Sequence, residues 1–475
     1  MPQDQQLIAM DACAVVERLR AGELTPHDLL DALEARIAAV DQDVNALPTL
    51  CFDRARAHAD RLMRQPVAER GPLAGMPVPI KDLTDVAGVR TTYGSPIFKD
   101  HVPEKSNILV QNLEANGGII YGKSNTPEFG AGAQTFNEVF GATRNPWNTQ
   151  RSASGSSGGA AVSLATGMAW LAHGSDMGGS LRNPASFCGV VGLRPSVGRV
   201  AKTPGAQVDG TLSVEGPMAR NVEDLALLLD AMSGEQPVDP LSLPKLPTSF
   251  LQSTRSGWRP RKVAYSADLG ITPVDPQVRA ATRAAADKLA AAGVIVEEAH
   301  PDFSEAHECF QTLRAASFAV SRTKLLRAHR DLLKPEVIWN IEKGLALSVE
   351  QIARAEAQRV TLAQRALTFF ETYDLLLCPA TIVAAFPVEQ RYLAACDGHT
   401  FETYIDWLAI VYAITLACCP ALSLPCGFTD EELPIGLQVV GPPRGEARVL
   451  AGAKLIEDML GMRGATPIDP RVTHR

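Results

Sequence analysis

The chain has 475 residues, enough for one large unit or several smaller ones and for a sizeable core. Its 46% hydrophobic and 21% charged content is that of a globular protein. A formal net charge of −8, with no long Lys/Arg run, argues against a nucleic-acid or membrane-surface partner. The nine cysteines are odd in number and contain no C-x-x-C pair, which argues against a disulfide framework or a zinc site and for free thiols in a reducing cytoplasm.

In chain order, MPQDQQLIAMDACAVV has no basic stretch followed by an apolar run, so it does not read as a secretory leader. LTPHDLLDALEARIAAV predicts a helix, with Thr25 as N-cap, Pro26 in the first turn, and Leu29, Leu30, Leu33, Ile37 and Val40 on one apolar stripe. Residues 71–81, GPLAGMPVPIK, predict a loop entering a short buried strand that ends at Lys81. GGIIYGKSNTPEFG (117–130) predicts another strand running into a loop. SASGSSGG (152–159) predicts a loop opening the small-residue helix AAVSLATG. A strand at MAWLAHG, a loop carrying Ser180 and a strand at VVGL (190–193) follow, the grammar of an α/β layered fold.

Further on, residues 235–260 read as a surface linker. KVAYS (262–266) and VIVEE predict strands on either side of a helix that starts at Asp275–Pro276 and stops at Gly293. Residues 301–370 are helical by pattern, without evident chemistry, and suit a cover over a pocket. The most apolar stretch, WLAIVYAITLACCPALSLP (407–425), is broken by Pro420 and predicts a buried helix leading into a buried strand rather than a membrane span of ~20 residues. YDLLLCPA, ALSLPCGF and LPIGLQVVG predict strands, the last two paired, and EARVLAGAKLIEDML a closing helix.

The chemistry concentrates in GSDMGGSLRNPAS, residues 174–186. Glycines directly before Ser180 let backbone N–H groups approach a substrate, and the amides of Met177, Gly178, Gly179 and Ser180 suit an oxyanion or a bound anion equally. A serine nucleophile needs a base. His173 lies in an apolar strand pattern and reads first as a core histidine. A lysine kept neutral by burial is the other choice, and Lys81 is placed for it, although its local sequence also suits a lysine snorkelling from a strand end.

Taken together, Lys81 in GMPVPIKD, the GSSGG loop at 155–159 and DMGGSLRNP at 176–184 resemble the amidase signature family. Ser156 lies 75 residues after Lys81, and Ser180 another 24 on. GKSNTPEFG (122–130), FGATRNPWN (140–148) and CPALSLPCGF…LPIGLQVVG match family stretches, while residues 240–370 carry little of the likeness. The resemblance implies one α/β domain over 1–475, three layers (α/β/α) around a large central mixed sheet, with a signature core at 71–220 and a variable, mostly helical segment at 235–375 over the substrate pocket. It also implies a Ser–cis-Ser–Lys triad: Ser180 as nucleophile, Ser156 as bridge after a cis Gly155–Ser156 bond, and Lys81 as base, with the 177–180 amides as oxyanion hole. Ser157, Asp176 and Arg182 are expected to support the loops, and Asp82 to orient or cover the lysine. No cofactor or metal is implied. Ser175 and Met177 stand where relatives often carry Thr and another apolar residue.

The implied substrate is a small-molecule amide, with esters and carbamates as further classes, for an enzyme working as monomer or homodimer. Apolar segments favour a hydrophobic or aromatic group, with Tyr93, Phe129, Gln134, Trp339, Ile382 and Trp407 as candidate wall residues. Two other readings remain. Some relatives are the glutaminase subunit of a tRNA-dependent amidotransferase. Residues 155–159 also fit the G-x-S-x-G nucleophile elbow, with Ser157 as nucleophile and Asp374 and His399 downstream, though no HGGG-type motif precedes it.

Overall fold

The structure, a computed structural model, describes residues 3–203 and 210–472. An eight-stranded mixed sheet organises it. From one edge to the other its strands are Ile295–Glu298, Lys262–Tyr265, Leu375–Pro379, Pro434–Val440, Ala421–Phe428, Val191–Arg194, Val214–Ala219 and Leu171–Asp176. The first three run parallel and the remaining pairings are antiparallel. Successive strand residues face opposite sides, and here both sides are apolar and buried. Leu375 and Leu377 enter one core with the Glu446–Leu460 helix, whereas Leu376 and Cys378 enter a second with Phe310 and Trp407. A sheet buried on both faces must carry helices on both, giving the three-layer α/β/α arrangement.

Most predicted elements form where local signals are strong. Thr25 caps the Pro26–Val44 helix in a capping box with Asp28, and Asp275 caps Pro276–Ala291. The 407–425 run becomes a buried helix, Ala409–Leu416, and the strand Ala421–Phe428, which pairs antiparallel with Pro434–Val440 as predicted. Residues 301–370 form three helices, Ala306–His329, Pro335–Leu345 and Val349–Phe369. The predicted linker contains one short helix, Phe250–Thr254, closed by a Ser249–Gln252 capping box. The nine cysteines are unpaired, and among the described residues no helix is long and apolar enough to cross a membrane.

A small second sheet brings the lysine to the large one. Pro77–Lys81 runs parallel to Ile119–Ser124, with Thr49–Leu50 antiparallel on the far side. The Lys81 backbone N–H then donates to Nδ1 of His173 (3.3 Å), on the large sheet's edge strand. The helix after the GSSGG loop, Gly158–Ala165, is buried throughout and packs on both sheets. Its second residue shows why small residues are required: a Cβ on Gly159 would sit 2.3 Å from the Asn125 nitrogen and 2.6 Å from the Ala46 oxygen, and backbone cannot step aside. Gly159→Ala is therefore expected to cost about 1–3 kcal/mol through overpacking, read as a lowered midpoint in chemical denaturation.

Candidate active site

Lys81 ends its strand with no exposed surface. Its Nζ donates to Ser156 Oγ (2.7 Å), Ser157 Oγ (2.9 Å) and Ser175 Oγ (3.0 Å), with no carboxylate in contact among the described residues. Burial pulls the amine down to about 7, against the opposing attraction of Glu215 and Asp176. Near neutral pH the group is thus divided between ammonium and free amine, and the free amine can accept a proton. The Gly155–Ser156 peptide bond is cis.

Ser180 follows the Leu171–Asp176 strand, at a tight turn into the Arg182–Cys188 helix. The Ser157 N–H donates to the Ser180 carbonyl (3.2 Å), tying the two serine loops together, and Ser156, Ser175 and Ser180 line one cavity of about 580 Å³. Gly179 has φ +103°, and a Cβ there would meet Val411 and Asn183 at 2.5 and 2.6 Å. This turn therefore requires glycine.

Asp176 holds the turn. Burial would raise its carboxyl, but Arg182 and Arg194 outweigh it and keep the group well below the usual carboxylate range. Arg182 reaches Asp176 through Nε (3.0 Å) and Nη2 (2.9 Å), and Arg194 through Nη1 (3.3 Å). Arg182 continues to the Val411 carbonyl, Gln438 and Thr415, bolting the turn to the sheet and to the Ala409–Leu416 helix. The Asp176 carboxylate also accepts the N–H groups of Gly179 (3.0 Å) and Leu181 (3.1 Å). Of the four amides expected to face an oxyanion, Gly179 is thus already engaged. Those of Met177, Gly178 and Ser180 have no acceptor among the described residues.

The Amidase family model matches residues 28–450. The chain belongs to the amidase signature family. It is 34% identical to an acylamidase of Rhodococcus erythropolis over 99% of both chains. It is 35% identical to a glutamyl-tRNA(Gln) amidotransferase subunit of Synechococcus sp. (strain CC9311), over 95% of this chain and 97% of that one. Among solved structures it resembles a bacterial aryl acylamidase (TM-score 0.88, 26% identity, 97% and 99% of the two chains covered). It also resembles a 6-aminohexanoate cyclic dimer hydrolase complexed with substrate (TM-score 0.88, 29% identity, 98% and 99% covered).

Several candidate residues of this amidase lie elsewhere than expected. Asp82 turns away from Lys81. It pairs with buried Lys123 (3.3 Å) and accepts from the Thr92 N–H and hydroxyl, because its strand-end neighbour points to the opposite side. His173 is consumed by structure: with Nδ1 accepting from the Lys81 backbone, Nε2–H donates to Glu215 (2.7 Å). Of the six proposed wall residues, Phe129 lines the cavity. Tyr93 donates to Asp85 (2.6 Å) and packs on Phe98. Gln134 donates to the Val388 carbonyl and accepts from Ser152. Trp339 packs on Tyr404, Trp407 on Phe386, and Ile382 is wholly buried in the second core. Trp407 and Ile382 belong to the second core and Trp339 packs against it, while Tyr93 and Gln134 are held by hydrogen bonds.

The Ser157 elbow does not assemble. Ser157 Oγ accepts from Lys81, Asp374 caps the amides of Arg261 and Lys262, and His399 is exposed against Phe401. Sequence reasoning expected a helical cover over the pocket but did not name the side chains of the opposite wall, Phe310, Leu313, Phe318 and their neighbours on the Ala306–His329 helix. It also missed Ser175 as a Lys81 partner, although the departure from Thr at that position was its signal.

Removing the Asp176 carboxylate would leave two buried guanidinium groups uncompensated. Asp176→Ala should lose about 3–5 kcal/mol of stability in denaturant titrations. The Lys81 titration, followed by NMR of isotope-labelled lysine, should have its midpoint near 7. Because Glu215 favours the charged amine, Glu215→Gln should move that midpoint to lower pH.

Proposed function

We propose that this amidase hydrolyses the C–N bond of small-molecule carboxamides through an acyl-enzyme on Ser180, with Lys81 and Ser156 as proton relay. The observation that carries the reading is a buried amine, free of carboxylate contact and pulled to about 7, 2.7 Å from a hydroxyl that shares its cavity with Ser180.

In this reading the neutral Lys81 Nζ takes the Ser156 hydroxyl proton while Ser156 takes that of Ser180. Ser180 Oγ adds to the carbonyl carbon, and the N–H groups of Met177, Gly178 and Ser180 receive the oxyanion. Collapse breaks the C–N bond, and the proton returns from Lys81 through Ser156 to the departing amine. Water repeats the addition on the acyl-enzyme, using the same relay to reset Ser180. Asp176 and Arg182 position the oxyanion loop, and Ser157 and Ser175 hold the amine on Ser156. Aryl esters and carbamates fit the same chemistry, since each presents a carbonyl carbon and a leaving heteroatom. Residues 71–220 supply the catalytic groups in this reading. The helical part of 235–375 supplies the far wall, with Phe129, Phe310 and Phe318 suited to an apolar acyl stem.

A second reading, a glutaminase subunit working within an amidotransferase complex, is favoured by the relatives named for that complex. The purified chain decides between them. Turnover of simple aliphatic and aryl amides by the chain alone supports the hydrolase, whereas turnover of glutamine only, with a partner present, supports the glutaminase.

Ser180→Ala and Lys81→Ala are expected to lower kcat by about 10³-fold or more, and Ser180→Ala to abolish labelling by a fluorophosphonate. Ser157→Ala, losing a bond to the amine but no reacting atom, should retain activity with about a tenfold loss. A Lys81→Ala protein with wild-type turnover would remove the reading. With neutral amine required, kcat/KM should rise with pH through about 7 and fall below it as the ammonium accumulates, measured with an uncharged amide.

A further inference from the structure

The wall facing the catalytic loops carries two cations that no carboxylate pairs with. Arg314 and Arg322 lie on the Ala306–His329 helix and line the cavity that holds Ser156 and Ser180. Arg314 is 5% exposed. Among the described residues neither has a carboxylate within ion-pair distance, and the Nε of Arg322 is buried without a hydrogen-bond partner. Arg314 donates to the Asn340 side-chain oxygen, and Arg322 to its neighbour Ser321, both neutral acceptors. The two guanidinium groups flank one ring: each carbon lies over Phe318, at 4.5 and 4.6 Å from its centroid. Burial, followed by the Arg314 charge, lowers Arg322 to about 10, so it remains a cation at neutral pH.

The carboxylates nearby are otherwise engaged or too far. Glu128 accepts from Ser95 (2.6 Å) and the Lys334 N–H (2.8 Å), and Glu215 is held by His173. Glu356, on the Val349–Phe369 helix, lines the cavity without pairing with either arginine. Two close like charges, Arg314 buried and Arg322 half-buried, in a structure that pairs Arg182 and Arg194 with Asp176, favour an anion from outside.

Their position fixes where that anion sits. A Cβ on Gly178 would lie 3.0 Å from the Phe310 ring, so this helix starts over the oxyanion amides. Phe310, Arg314, Phe318 and Arg322 follow at four-residue spacing on one helix face, and helical side chains lean back toward the N-terminus. Arg322 also stacks over Phe129 (5.1 Å), and a Cβ on the next residue, Gly130, would lie 3.4 Å from Ser156 Oγ. The guanidinium pair thus shares the cavity with Ser156 and Ser180 across an apolar strip of Phe129, Phe310 and Phe318.

We propose that Arg314 and Arg322 form a carboxylate-binding subsite, and that the substrate is an amide bearing a distal carboxylate on an apolar stem. This rests on the amidase reading and narrows its substrate class. The charge can lie on the acyl side, as in a dicarboxylic acid monoamide, or on the leaving amine, as in an N-acyl amino acid.

Binding of the two product halves by calorimetry tests it without turnover. Adipate is compared with hexanoate for the acyl side, and γ-aminobutyrate with butylamine for the leaving side. One pair should show about a tenfold or greater preference for the distal carboxylate. The preference should shrink toward unity in Arg322→Met and Arg314→Met and persist in part in Arg322→Lys. Equal affinities within both pairs in the wild-type protein, or a preference that both methionine variants keep, would overturn the subsite. Hydrolysis of adipamate and hexanamide then separates the two claims. Where the acyl pair shows the preference, equal kcat/KM for both removes the subsite from turnover alone, and adipate preference with no hydrolysis of either amide removes the amidase reading and leaves the subsite. Where the leaving pair shows it, N-acetyl-γ-aminobutyrate and N-butylacetamide take their place with the same two outcomes.

Discussion

The site rests on an amine kept from both water and carboxylate. Lys81 is wholly buried, and what surrounds Nζ is hydroxyl oxygen from Ser156, Ser157 and Ser175. Hydroxyls can donate to a neutral amine as readily as they accept from an ammonium, so the environment does not commit the proton. A directly bonded carboxylate would commit it. The contrast stands in the same small sheet: Lys123, equally buried, has Asp82 at 3.3 Å, with the Thr84 carbonyl and Thr91 around it. Two lysines at similar depth thus differ in one neighbour, a carboxylate against hydroxyls.

Around that amine the fold places permanent charge where geometry has to be rigid. Asp176, Arg182 and Arg194 are buried together, and the bidentate contact between Asp176 and Arg182 fixes orientation as well as distance. The same carboxylate collects the Gly179 and Leu181 amides, and the neighbouring N–H groups of Met177, Gly178 and Ser180 have no acceptor among the described residues. The Asp176 carboxyl is held far toward its charged form, whereas the proposed relay asks Lys81 to change protonation. The arginine pair of the cavity wall is the exception, charged and without a paired carboxylate among the described residues.

Much of the framework was legible in the chain. Caps at Thr25 and Asp275, the proline-broken apolar run and the alternating or continuous apolar strands located the helices and most strands of the main sheet, because these signals act over a few residues. The three signature motifs likewise marked Lys81, Ser156, Ser157, Asp176, Ser180 and Arg182, and the structure gathers them at one place. Partners at long range were not legible. Asp82 beside Lys81 suggested contact, but adjacent strand residues face apart. Tyr93, Gln134, Trp339, Ile382 and Trp407 suggested a pocket, but an aromatic or apolar side chain carries no local mark that tells core from cavity. The 301–370 helices were found by periodicity, while the face they turn to the site was not.

The sequence by itself determined which chemical groups exist and in what order: a strand-end lysine, two serine loops with glycines where backbones must approach, an acid–base pair bracketing the turn, and two cores' worth of apolar strands. Local spacing and intrinsic backbone preference were sufficient for that. Only the tertiary structure decided that the lysine loses its water, that Gly179 gives its amide to Asp176, and that Arg314 and Arg322 line the cavity of Ser180 with no paired carboxylate among the described residues. Protonation and pairing depend on what lies within a few ångströms in space, and those neighbours come from segments scattered along the whole chain.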